Sequence, residues 1–342
     1  MTARSLEHRA MINLCLFGAG RIARVHAANI AAHPELALRI VVDLDLERAR
    51  ALAEPLGARA VADADAALAD PDVHAVLIAS TSSTHADLIM RALAVKKPVF
   101  CEKPIDLDVE RANACAREVE RVGVPVFVDF NRRFDPNHAA VFQAVRAGEA
   151  GAVELVSITS RDPEPPPLDY LANSPGALFR ETMVHDCDMA RWLLGEDPVE
   201  VFALASCLID PAIGALGEVD TAVATLRTAS GKLCQINNSW RATYGYDQRI
   251  EVMGSGGMVR SDNVRRTTLE RYDARAVQSD VFQYFFTERY AASYRLALDH
   301  FADVAKHGEE PFITAEDGRR AQIIAEAALR SAREGKPVAI SY

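Results

Sequence analysis

The feature that most restricts this chain is a short apolar run that ends in glycine. Residues 12–20 read INLCLFGAG, and the helically patterned RIARVHAANIAAH follows at once. Gly18-Ala19-Gly20-Arg21-Ile22-Ala23 therefore sits at a strand–turn–helix junction. The first glycine permits a tight turn and the second lets a bulky anion approach the backbone. The small Ala23 lets helix and strand pack closely, which leaves the first helical amides for phosphate. On its own this G-x-G-x-x-A spacing is weak, because small residues at such a turn can be purely steric.

Its continuation strengthens it. LALRIVVD (36–43), AVLIAS (75–80), PVFCEK (98–103) and PVFVDF (125–130) are unbroken apolar runs. They alternate with the amphipathic stretches LERARALAEPLG (46–57), HADLIMRALAV (85–95) and DVERANACAREVERVG (108–123). Apolar strands alternating with helices predict a parallel sheet covered on both faces, which binds ligands beyond the carboxyl ends of its strands. Asp43 ends the second strand at the distance where a carboxylate accepts hydrogen bonds from adenosine ribose hydroxyls and repels a 2′-phosphate. The cofactor expected is NAD rather than NADP. Asp45 competes for this role, but its position also suits the cap of the next helix.

After residue 130 the period changes. AVELVSITS, PVEVFALASCL, DTAVATLRT, GKLCQINNSW, QRIEVMG and GMVRSDN alternate apolar with polar residues and are separated by turns such as TASGKL and GSGGM. These predict an open, mostly antiparallel sheet with one wet face. A helix between its first two strands, a long amphipathic helix at about 288–307 and a final one complete the picture. The fold class is thus α/β: an N-terminal Rossmann doubly wound parallel sheet, then a C-terminal α+β domain on the open sheet. At 342 residues the chain exceeds the roughly 250–300 at which single cores stop growing. The division expected is 1–129 for the nucleotide domain, with 1–10 a disordered leader, and 130–342 for the substrate-binding and oligomerisation domain.

A formal charge of −10 and a pI of about 5.4 argue against nucleic acid or anionic lipid as partner. No run approaches the roughly 18 apolar residues of a membrane span, and the start carries no signal-peptide pattern. Six scattered cysteines without a C-x-x-C pair read as reduced thiols of a cytoplasmic protein. DPEPPPLDY (162–170) reads as one stiff loop.

FRETMVHDCDMARWLLG (179–195) places Glu181, His185 and Asp188 at spacings of four and three before an apolar run. Taken alone, such a stripe is a solvated face with a chance histidine. The rest of the chain changes that reading. Cys101-Glu102-Lys103-Pro104-Ile105 closes a strand of the parallel sheet, NRRFDP follows at 131–136, and H-D-x-D stands at 185–188. With G-A-G-R-I-A, this series resembles the glucose–fructose oxidoreductase/inositol dehydrogenase/rhizopine-catabolism (Gfo/Idh/MocA) family over nearly the whole chain. Within it the likeness is strongest to members that oxidise inositols, through HDCDMARWLLGEDP, FFTERYAASY and the YGYDQR segment at 244–249.

The resemblance implies NAD-dependent oxidation of a cyclitol secondary alcohol, myo-inositol or its scyllo epimer, to an inosose. It implies His185 as general base, since an unperturbed imidazole pKa is about 6.5. Glu181 orients the other ring nitrogen, and Lys103 stabilises the developing alkoxide. At position 181 the family's usual residue is Asp; the extra methylene of Glu reaches the same nitrogen by another rotamer or turns toward substrate. Cofactor contacts are expected from Gly18, Gly20, Arg21, Ile22, Asp43, Ser80, His85, Glu102 and Lys103. Substrate contacts are expected from Lys103, Arg133, Glu181, Thr182, His185 and Tyr244.

Several residues keep two readings. Arg133 either binds hydroxyls or pairs with Asp135, and Asp188 is a substrate or a structural acid. Tyr244 reaches the pocket whereas Tyr246 can be packing, and His85 closes a helix start beneath the cofactor. No metal is expected, because no second histidine group accompanies H-D-x-D. The family also suggests a homo-oligomer, a tetramer assembled through the open sheets. The rival activities are a monosaccharide or aldonate dehydrogenase and a silent sugar- and NAD-binding sensor.

Overall fold

A computed structural model describes residues 11–342, so the expected leader at 1–10 lies outside the described residues. The chain forms two compact units. One ends at Asp129 and takes back Tyr294–Glu316; the other comprises Phe130–Ser293 and Asp317–Tyr342.

The first unit holds six strands: β1 (Ile12–Phe17), β2 (Leu36–Val42), β3 (Arg59–Val61), β4 (Ala75–Ile78), β5 (Val99–Glu102) and β6 (Val126–Asp129). All neighbours pair in parallel, in the order β3-β2-β1-β4-β5-β6. This is the doubly wound order whose switch point lies between β1 and β4, where the crevice for a dinucleotide opens. Leu14, Leu16, Val76, Leu77, Phe100 and Phe127 are fully buried, as unbroken apolar strands require when helices cover both faces. β3 escaped the sequence reading because three residues carry no period.

Tyr294–Glu316 departs from the continuous 130–342 domain anticipated above. Phe301 of helix Ala291–His307 meets Phe100 edge-to-face at 5.5 Å, and the Val128 amide donates to the Ile313 carbonyl at 3.2 Å. An amphipathic period says that a helix buries one face, not which sheet receives it.

In the second unit β7 (Val153–Arg161), β8 (Pro198–Ser206), β9 (Thr221–Thr228), β10 (Leu233–Ser239), β11 (Asp247–Gly254) and β12 (Gly257–Ser261) follow the alternating segments read from the sequence. Two short strands, β13 (Glu270–Tyr272) and β14 (Val277–Ser279), pair as a hairpin. A final β15 (Val338–Ala339) edges the main sheet, whose order is β12-β11-β7-β10-β9-β8-β15. Its pairings are antiparallel except for β7 with β10. One face is covered, in part by helix Val184–Leu194 against β7 and β10. The other leaves Phe202, Leu204, Val223, Leu233 and Met253 exposed.

Candidate active site

At the end of β1 the backbone turns at Gly18 with φ +99°. A Cβ there would lie 2.5 Å from the Ala79 carbonyl oxygen and 2.9 Å from the Ser80 Cα. Only glycine fits this close approach of the β1 and β4 ends. Gly20 differs: a Cβ on it would meet nothing within 4 Å, so the turn is open on the side where helix Arg21–Ala32 begins. The first turn of that helix points its amides, those of Arg21 and Ile22 among them, toward this opening.

Asp43 completes the turn. Its Oδ2 accepts from the Ala19 amide at 2.8 Å and its Oδ1 from the Asp45 amide at 2.9 Å. Each oxygen keeps a lone pair for a further donor. Asp45, the competitor, caps helix Leu46–Ala53 by accepting from the Glu47 and Arg48 amides. A glycine cradle, a helix N-terminus and a fixed carboxylate fit the pyrophosphate and ribose of NAD.

Beyond β5 the half-buried Lys103 precedes a cis peptide to Pro104. The His85 ring lies between two carbonyls, with Nδ1 2.7 Å from Pro104 O and Nε2 3.2 Å from Ser80 O. It thereby ties the Lys103–Pro104 turn to the turn after β4, where Ser80 Oγ pairs with Thr84 Oγ1 at 2.7 Å. The Glu102 side chain corrects an expectation. It is buried and lies 2.8 Å from His26 Nε2, so its carboxylate faces the interior and not a cofactor.

In the second unit the stripe read as one helix is two pieces. Leu178–Met183 is a π-helical turn and Val184–Leu194 a regular helix. Such π-turns recur at functional sites. Glu181 rides on the π-turn, which shifts its angular position relative to the simple i, i+4 stripe. The Tyr170 hydroxyl is raised in pKa, first by burial and then by the Glu181 carboxylate that it faces. Thr182 Oγ1 accepts from the Trp240 indole at 3.2 Å. The half-buried His185 ring stands edge-on to Phe130 at 5.9 Å.

Asp188 is a structural acid. Arg133 grips it through Nε (2.8 Å) and Nη2, and reaches Asp317 at 3.1 Å. Arg133 is 7% exposed and does not pair with Asp135, which caps helix Pro136–Arg146 and binds Arg289. With its charge spent inside the unit, Arg133 leaves the substrate set. Asp186 repeats the pattern: it pairs with Arg132 and accepts from Asn238 at 2.7 Å.

Tyr244 is 47% exposed, donates to Asp247 Oδ2 at 2.6 Å and accepts from Arg161 at 3.0 Å. Tyr246 is buried packing, edge-on to Tyr290 at 5.9 Å. The sequence reading missed His26 and Asp129, which join Glu102 in a buried cluster whose donor atoms lie within 4.8 Å of one another. The available signal was a histidine on the apolar face of the helix after the glycine turn.

Comparison with known proteins follows the same division. Residues 12–130 match a family model described as an oxidoreductase family with an NAD-binding Rossmann fold, and residues 138–260 match the GFO/IDH/MocA C-terminal domain. The chain is 43% identical over 324 residues to a myo-inositol 2-dehydrogenase of Thermotoga maritima, covering 94% of this chain and 97% of that one. It is similar to the crystal structure of a putative myo-inositol dehydrogenase from Sinorhizobium meliloti, with TM-score 0.93 and 43% identity, over 97% of this chain and 100% of that one. A scyllo-inositol dehydrogenase from Lactobacillus casei, solved with bound NAD(H) and scyllo-inositol, superposes with TM-score 0.91 at 26% identity, over 96% and 99% of the two chains.

Proposed function

Because the chain belongs to the Gfo/Idh/MocA family of oxidoreductases, we propose that it oxidises a cyclitol, myo-inositol or its scyllo epimer, to an inosose. NAD, when bound, supplies the nicotinamide carbon that takes the hydride. The turn at Gly18 and Gly20, the Arg21 and Ile22 amides, Asp43, Ser80 and His85 hold and orient it. His185 takes the hydroxyl proton. Glu181 holds the His185 ring in the accepting tautomer, and Lys103 donates to the reacting oxygen as its charge develops. Thr182 and Tyr244 bind the remaining hydroxyls. Tyr244 can do so only as an acceptor, since its own proton goes to Asp247.

The observation that carries the reading is the likeness to inositol dehydrogenases along nearly the entire length of both chains. Mixing the purified protein with NAD and a polyol panel, and following NADH absorbance, tests it. Turnover of myo- or scyllo-inositol is expected. Turnover confined to a monosaccharide or aldonate would establish the rival dehydrogenase, and none with any polyol the sensor.

A tetramer belongs to the same proposal. Phe202, Leu204, Val223, Leu233 and Met253 are exposed on one face of the second sheet, the kind of apolar patch that a partner subunit covers. Light scattering at micromolar protein tests this, and a monomer mass refutes it. Residence in the cytoplasm is proposed from six free thiols. No helix among the described residues is long and apolar enough to cross a membrane.

A further inference from the structure

Behind Lys103 lies the cluster that the reading of the reaction leaves unused. Glu102 and Asp129 are register partners on the parallel strands β5 and β6, so their side chains leave the sheet on the same face about 4.8 Å apart. Both are buried. His26, on the helix after the glycine turn, is also fully buried. Its Nε2 lies 2.8 Å from Glu102 Oε1 and 4.0 Å from Asp129 Oδ2. Phe100 at 5.0 Å and Tyr294 at 5.6 Å stand edge-on to the imidazole and confine it. Neither Asp129 oxygen receives a hydrogen bond among the described residues.

Two ionised carboxylates this close, shielded from water, repel each other strongly, and a buried anion without donors is costly. Among the described residues, the groups that bear on the pair include His26 from its helix, Cys101 and Lys103 around the end of β5, and the Tyr294 ring from helix Ala291–His307. The Cys101 thiol is pushed up by burial and brings no charge. Burial, and next the Glu102 charge, raise the Asp129 carboxyl well above the usual range, while the Lys103 ammonium opposes them.

We propose that Asp129 holds a proton in the working enzyme, and that His26, Glu102 and Asp129 are positioning residues for Lys103. The three fix the strand end that carries Lys103 and limit the negative charge behind its ammonium to that of Glu102. A neutral Asp129 removes one negative charge from behind an ammonium that must stabilise a transient alkoxide. The positioning claim rests on the reading of Lys103 given above; the proton on Asp129 does not.

Infrared difference spectra of wild type against Asp129→Asn, at neutral pH with NAD bound, test the proton directly. The wild type is expected to show a carboxylic-acid carbonyl band that Asp129→Asn lacks, and identical spectra would overturn the claim. Kinetics with myo-inositol test the positioning. His26→Leu should lower kcat by about tenfold or more with KM for NAD unchanged, and His26→Gln, which keeps a donor for Glu102, should restore it to within about threefold. If His26→Leu fails to fold, Glu102→Met removes the acceptor of the same hydrogen bond and should show the same loss.

In a Lys103→Ala background the His26 effect should vanish, because residues acting through one another are not additive. An undiminished loss there would make the cluster merely structural and refute the positioning. A near-normal kcat in Lys103→Ala alone would refute it together with the role of Lys103, whereas the infrared band speaks for Asp129 independently. Elemental analysis closes the remaining route, since a stoichiometric divalent cation on these three ligands would displace the proton and overturn the proposal.

Discussion

The two units offer their candidate groups by different means. In the first, the backbone makes the site: a glycine turn, a helix N-terminus and strand ends place amides and a few side chains. In the second, side chains on one stretch of helix make it, and most of the polar ones are not for ligand at all. Asp43 and Asp188 show the contrast. Asp43 is half-buried, held by two backbone amides and left with lone pairs to spare. Asp188 is wholly buried and spends both oxygens on one guanidinium. An acid belongs to a site when its surroundings fix it without exhausting it.

That contrast is easiest to break at Asp188. Asp188→Ala leaves the buried Arg133 cation with Asp317 alone and should destabilise the fold by about 3 kcal/mol, read as a lower denaturant midpoint. A variant as stable as wild type would return Asp188 to the candidate site. Lys103→Ala should instead leave the midpoint alone and lower kcat by about 10²–10³-fold, with NAD binding nearly intact, because its charge matters most as the alkoxide forms. Normal turnover would remove it from the mechanism.

Asp43→Ala should abolish an NAD preference of at least about tenfold in kcat/KM, or about 1.4 kcal/mol. Equal rates of the wild type with NADP would break the assignment of the first unit. The last effect is a slope, small at any one pH near neutrality. Burial drives the His138 imidazole down to about 3, the nearby Asp135 opposing and Arg289 and Arg132 reinforcing. The folded value lies below the free one near 6.5, so unfolding takes up a proton between them. This stability is present above about pH 6.5 and is lost as pH falls toward 3, at no more than about 1.4 kcal/mol per pH unit. Denaturation of His138→Phe across that range should lack this component; matching slopes would show that His138 does not carry it.

The same contrast decides what could be read in advance. The glycine turn, Asp43 and the alternation of strands and helices are local, so spacing alone exposed them. The second sheet was legible as alternation, but the parallel pairing of β7 with β10 joins strands about 80 positions apart and leaves no local mark. Asp186 and Asp188 looked like Glu181 and His185 in the sequence because their partners, Arg132 and Arg133, come from another element. The π-turn under Glu181 was hidden because its residues suit an ordinary helix. His26 and Asp129 were hidden by their neighbours, since a polar residue in an apolar run announces burial but not company.

The return of Tyr294–Glu316 to the first unit bears on how such a protein can be taken apart. A gene fragment ending at residue 129 would encode every strand of the parallel sheet and still omit Phe301 over Phe100 and the Ile313 carbonyl that receives the Val128 amide. Its product would expose the apolar ground on which that helix rests. Exchange of the nucleotide unit between relatives therefore cannot proceed by a single crossover. A workable graft takes two pieces of sequence at once, and the intervening chain must bring the second piece home.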